Sequence, residues 1–149
     1  AGIAACKFVK NNMKVGLGTG STVKYTVIEL GRMIKEDGLK IVGVPTSLAT
    51  EKLALEVGIP LVELSDVDYL DIVIDGADEY DPNFQLIKGG GAALLREKIV
   101  AQESKSMVVV AESAFNSPAV EDIAAEKITA NKRPIRPCGR KFNINVRNI

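Results

Sequence analysis

Lys14-Val15-Gly16-Leu17-Gly18-Thr19-Gly20-Ser21-Thr22 is the stretch on which the fold turns. Lys14 to Leu17 reads as a short strand that runs straight into a loop of glycines and hydroxyls. A helix is expected next, because Val23, Val27, Leu30 and Ile34 recur on one helical face. Upstream, Ile3, Ala4, Phe8 and Val9 suggest a short helix ending near Asn11-Asn12. Downstream, Asp37-Gly38 is a turn, Lys40 to Val44 a second strand, and residues 48–57 a second helix with Gly58 as its stop. Ile59 to Leu64 reads as a third strand, placed at an edge by Pro60. Leu70 to Ile74 is a fourth, residues 92–103 a helix, and Met107 to Ala111 a buried strand. Strands alternating with helices predict an α/β fold: a Rossmann-like, doubly wound, mostly parallel sheet with helices on both faces. Such sheets take ligands outside the C-terminal ends of their strands. Gly18–Thr22, Pro45–Ser47 and Asp75–Glu79 all fall there.

Composition narrows the chemistry. The chain has no histidine, which removes Ser-His-Asp and Cys-His triads, His-Glu-x-x-His metalloprotease sites and most zinc chemistry. A base working near neutral pH must then be a carboxylate, lysine, tyrosine or cysteine. Cys6 and Cys138 match no metal-binding spacing and read as free thiols. No apolar run is long enough for a bilayer span, so no membrane partner is expected. Residues 1–126 carry 12 basic and 19 acidic side chains, while residues 127–149 carry seven basic and no acidic ones. That division suggests a body and a tail of different character.

Four motifs bear on function. Thr19, Gly20, Ser21 and Thr22 offer amides and three hydroxyls to a phosphate at a helix N-terminus; the plainer alternative is a tight turn with Ser21 or Thr22 as cap. Ser21 stands where a dinucleotide fingerprint needs its third glycine, and no P-loop lysine follows. Asp75-Gly76-Ala77-Asp78-Glu79, with Asp81, concentrates four acids within seven residues. It is a solvated loop, a divalent-cation site without EF-hand spacing, or a grip for sugar hydroxyls. Lys88-Gly89-Gly90-Gly91 opens a helix and forms a second anion-friendly surface, or else a hinge. Glu97 shares a helical face with Ala93, Val100 and Ala101, where desolvation would raise a carboxylate pKa toward that of a base. The alternative is a boundary carboxylate paired with Arg96 or Lys98.

Taken together, GLGTGST (16–22), IVGVPTS (41–47), IDGADE (74–79) and LIKGGGAALLREK (86–98) resemble the type A ribose-5-phosphate isomerase family in order and separation. The likeness covers about residues 1–113. It implies an aldose–ketose isomerase interconverting D-ribose 5-phosphate and D-ribulose 5-phosphate through an enediolate, in the non-oxidative pentose phosphate pathway. It assigns phosphate binding to Thr19, Gly20, Ser21 and Thr22. Asp75 and Asp78 hold sugar hydroxyls, with Asp78 aiding ring opening, and Gly76 and Ala77 join them in binding substrate. Lys88, Gly89, Gly90 and Gly91 line the reacting end, and Glu97 accepts the proton. The resemblance further implies no metal or organic cofactor and a homo-oligomer (dimer or tetramer); free thiols together with central sugar metabolism suggest a cytoplasmic or else plastid location.

Three departures stand beside it. The chain opens inside the helix that precedes the family's first strand, so part of the N-terminus is expected to be absent. Phe115 occupies the place of a family lysine and cannot pair with phosphate. Residues 114–149 do not resemble the family: an isomerase core over 1–113 is expected to be truncated before the C-terminal α/β subdomain and followed by an atypical, poorly ordered basic tail. The rival readings are a non-catalytic phosphosugar-binding or sensor domain of the same fold, a nucleotide-binding dehydrogenase-like domain, and nucleic-acid binding through the tail, which has only Phe142 as an aromatic.

Overall fold

The computed structural model describes residues 2–77, 79–80, 85–87, 94–110, 126–128 and 142–143. Strand β1 (Met13–Leu17) leads into helix α1 (Ser21–Glu36), strand β2 (Ile41–Pro45) and helix α2 (Leu48–Val57). Then come β3 (Ile72–Gly76), β4 (Glu79–Tyr80), β5 (Gln85–Ile87), α3 (Leu94–Gln102), β6 (Met107–Val110), β7 (Glu126–Ile128) and β8 (Phe142–Asn143). The main sheet has the order β2-β1-β3-β6-β7; its first four strands are parallel and β7 pairs antiparallel to β6. A small antiparallel sheet, β4-β5-β8, stands apart from it in pairing.

Alternation along the strands builds two cores. Val15, Leu17, Ile72, Ile74, Val108 and Val110 pack with Val23, Val27 and Leu30 of α1 and Ala54 of α2. The intervening Val73, Met107 and Val109, with Val44, pack with Val100 of α3 on the other face. Helices on both faces follow directly from this period of two. In the strand order, β2 lies on one side of β1 and β3 on the other, so the connectivity reverses direction between β1 and β3. That reversal is where a doubly wound sheet opens a crevice.

Several elements depart from the sequence expectations. Ile59–Leu64 is not a strand: Leu61 makes one parallel bridge to Gly43 beside β2, and Leu64–Asp66 turn into a 3-10 helix. Pro60 has no N–H to extend a ladder, and its carbonyl takes the Gly43 amide instead. β3 begins two residues later than Leu70, because Leu70 bridges to Ser104 and the Asp71 carboxylate accepts the Lys14 amide. The N-terminal helix is a 3-10 segment, Ala4–Phe8, stopped by extended Val9 before the expected asparagines. Expectations for residues 114–149 lie outside the described residues, apart from the backbones of β7 and β8.

Candidate active site

Three loops meet at the C-terminal ends of β1, β2 and β3. The first is held by two successive amides that both donate to β3: the Gly18 amide to the Ile74 carbonyl at 2.8 Å and the Thr19 amide to Asp75 Oδ1 at 3.2 Å. Asp75 is fully buried, and the same Oδ1 accepts the Gly76 amide at 2.8 Å. Gly18 is glycine because a Cβ there would overlap the Asp75 carboxylate. Gly20, at φ 123° and ψ 168°, lies in a region open essentially to glycine and forms the N-cap of α1. Neither Ser21 nor Thr22 caps this helix, contrary to the plainer sequence alternative; the N-cap is Gly20, which has no side chain to accept the first-turn amides. Ala77, partly buried, donates its amide to the Val110 carbonyl at 3.3 Å.

The second loop and the first turn of α2 carry two residues, Thr46 and Thr50, to which the sequence assigns no role. Thr46 is fully buried and Thr50 nearly so. Thr46 Oγ1 donates to the Leu17 carbonyl at 3.0 Å and lies 2.8 Å from Thr19 Oγ1. Thr50 Oγ1 donates to the Gly18 carbonyl at 2.8 Å. Hydroxyls just past a strand were the available signal, but their partners depend on the β1–β2 register, which pairs Leu17 with Pro45.

Helix α3 places Glu97. Val100 sits over Gly16, where a Cβ would come within 2.7 Å of Val100 Cγ1 and 2.8 Å of Val73 Cγ2. The chain leaving α3 meets Leu70, just before β3: the Leu70 amide donates to the Glu103 carbonyl and the Lys105 amide to the Leu70 carbonyl. The helix therefore runs against the strands, and its N-terminal end lies toward their C-termini. Glu97 is one turn before Val100 on the same side, displaced by about 4.5 Å along the axis. That shift carries it toward the row of Gly18 and Asp75, one pleat beyond Gly16 and Val73. Its residue is only 7% exposed, so its placement agrees with the expected burial on the small apolar face.

Asp78, Lys88, Gly89, Gly90, Gly91, Asp81 and Phe115 lie outside the described residues. Thr19, Gly76 and Asp75 are brought together directly; Glu97 shares their sheet face. Among the described residues no helix is long and apolar enough to cross a membrane.

A mostly parallel sheet with helices on both faces and polar groups gathered at the β1/β3 reversal defines the class: an α/β domain of the doubly wound type. Comparison narrows it further. Residues 42–129 match the family described as Ribose 5-phosphate isomerase A (phosphoriboisomerase A). Ribose-5-phosphate isomerase A of Enterococcus faecalis is 56% identical over 124 residues, 83% of this chain and 54% of that protein. A structure of D-ribose-5-phosphate isomerase in complex with phospho-erythronic acid superposes with a TM-score of 0.70 at 47% identity, over 72% of this chain and 49% of the other. The ribose 5-phosphate isomerase of Plasmodium falciparum does so with a TM-score of 0.73 at 43% identity, over 76% and 49%. The chain belongs to the ribose 5-phosphate isomerase A family. It spans about half the length of the curated relatives it matches.

Proposed function

We propose that the chain carries the catalytic half of an aldose–ketose isomerase acting on D-ribose 5-phosphate and D-ribulose 5-phosphate. The observation that carries this reading is the burial of Glu97 on the sheet-facing side of α3, toward the strand ends where Asp75 and the hydroxyl loop lie. In the open-chain aldose, Glu97 removes the proton on C2. Its electron pair forms the C1–C2 double bond, and the carbonyl electrons move to O1. Glu97 then returns the proton to C1 while the O2–H bond breaks and the carbonyl re-forms at C2, and the proton leaving O2 is matched by the one that O1 takes up, giving the C1 hydroxyl of the ketose. Carboxylate catalysis of this kind suits a chain without histidine.

The remaining roles rest on the family resemblance and the loop geometry. The open first turn of α1, from Gly20 to Thr22, offers amides to the phosphate. Asp75 and Asp78 hold sugar hydroxyls, and Asp78 assists ring opening. Lys88 and the Gly89–Gly91 amides stabilise the enediolate oxygen. A phosphate anchored away from the reacting carbons lets its binding energy orient them. A structural relative is described in complex with phospho-erythronic acid, a phosphorylated sugar acid, which supports a phosphosugar at this crevice. A dimer or tetramer follows from the resemblance, and a cytoplasmic location from the cysteines read as free thiols and the place of the reaction in sugar metabolism.

The test is conversion of ribose 5-phosphate by the chain and by Glu97→Gln. The substitution should reduce the rate at least about 10²-fold. Retained phosphosugar binding with no turnover in either protein would favour the non-catalytic sensor reading instead.

A further inference from the structure

The turn after β2 grips the loop after β1 at two consecutive carbonyls. Thr46 gives both its amide and its hydroxyl to the Leu17 carbonyl, at 2.9 and 3.0 Å. Thr50 gives its hydroxyl to the Gly18 carbonyl at 2.8 Å. Counting hydrogens sets the direction of every other contact. A hydroxyl has one hydrogen to donate. Thr46 has spent its own on Leu17, so the 2.8 Å contact with Thr19 carries the Thr19 hydrogen. Thr50 has likewise spent its own on Gly18, so Ser47 donates to Thr50 at 3.0 Å while accepting the Thr50 amide at 3.2 Å. The Thr19 amide is already given to Asp75. Both polar hydrogens of Thr19 are thus engaged inside the protein, and what it has left to offer is acceptor capacity on oxygen.

We propose that Thr46 and Thr50 are positioning residues that clamp Leu17, Gly18 and Thr19, so that Thr19 organises the loop while the amides from Gly20 onward meet the anion. The loop contains Gly18 and Gly20, whose backbone freedom must be suppressed for a rigid anion site. Two buried hydroxyls on successive carbonyls supply that restraint. The identity of the anion rests on the isomerase reading above; the clamp itself does not.

The test compares Thr46→Val, Thr50→Val and Thr46→Ser with the unaltered chain. Amide hydrogen exchange is followed at Thr19 and at Val73, whose amide is turned away from β1 and bonded to the Ser106 carbonyl. Affinity for inorganic phosphate is followed by NMR titration. Each valine variant should speed exchange at Thr19 by about three- to tenfold more than at Val73 and weaken phosphate by about three- to tenfold. Thr46→Ser, which keeps the hydroxyl, should stay within about twofold on both readouts. Equal acceleration at Thr19 and Val73, or none at Thr19, overturns the clamp. Localised acceleration with serine rescue, in a chain that binds no phosphate, upholds the clamp and overturns the phosphosugar reading. Should Thr46→Val fail to fold, Thr50→Val carries the same comparison.

Discussion

The Thr19 amide donates to the Asp75 carboxylate at 3.2 Å, linking the loop after β1 to the end of the adjacent parallel strand β3. One carboxylate oxygen serves this bond and the Gly76 amide together. Asp75 therefore shapes the crevice as well as lining it. Asp75→Ala should lower unfolding stability by about 1–3 kcal/mol, because it strips the acceptor from both amides. Asp75→Asn keeps an acceptor oxygen and should cost less. Urea titrations of the two variants check the order, and equal losses would count against this role.

The seat of α3 is tested at Gly16. Gly16→Ala forces a methyl against Val100 and Val73 and should destabilise by about 1–3 kcal/mol. Adding Val100→Ala opens space for that methyl, so the double variant should lose less than the two single changes added together. Strict additivity would mean that Gly16 does not set how closely α3 approaches the sheet.

Gly20 has room for a side chain, with nothing within 4 Å of an added Cβ, but its φ of 123° disfavours one. Gly20→Ala should cost about 1–3 kcal/mol through backbone strain alone. It should also weaken phosphate binding, since relaxation of the strain turns the first amides of α1. Wild-type stability and affinity in this variant would show that the loop does not depend on that backbone angle.

Cys6 supplies a pH test. Burial pushes its thiol up from 9.0 to about 12, with the Glu29 carboxylate adding to the shift. The folded state therefore holds the proton more tightly than the unfolded state. The associated stability is intact below about pH 9 and is lost as pH climbs toward 12, where the unfolded chain ionises first. Stability of Cys6→Ser should fall less steeply over that interval than that of the unaltered chain. Cys6 should also resist alkylation at pH 8 until denaturant is added.

Much of this fold is legible from pattern. The apolar periods of Val23, Val27 and Leu30, and of Met107 to Val110, match the helix and the buried strand that form there. Gly58 ends α2 in the left-handed conformation its position suggests. Ile59–Leu64 misleads because its apolar residues have strand character, whereas pairing depends on amides, and Pro60 lacks one. Helical spacing offers a desolvated Glu97 or a boundary carboxylate, and the residue is buried. The partners of Thr46 and Thr50 are not legible from spacing, since they are 29 and 32 residues from the carbonyls they bind and meet them only through strand register.

The most direct test of the chemistry follows the carbon-bound proton itself. In deuterium oxide, the chain should exchange solvent deuterium into the C1 and C2 positions of the pentose phosphates, read by proton NMR. Glu97→Gln, folded by circular dichroism, should do so at least about 10²-fold more slowly. Exchange at the unaltered rate in Glu97→Gln would contradict the assignment of Glu97 as the group that carries the proton.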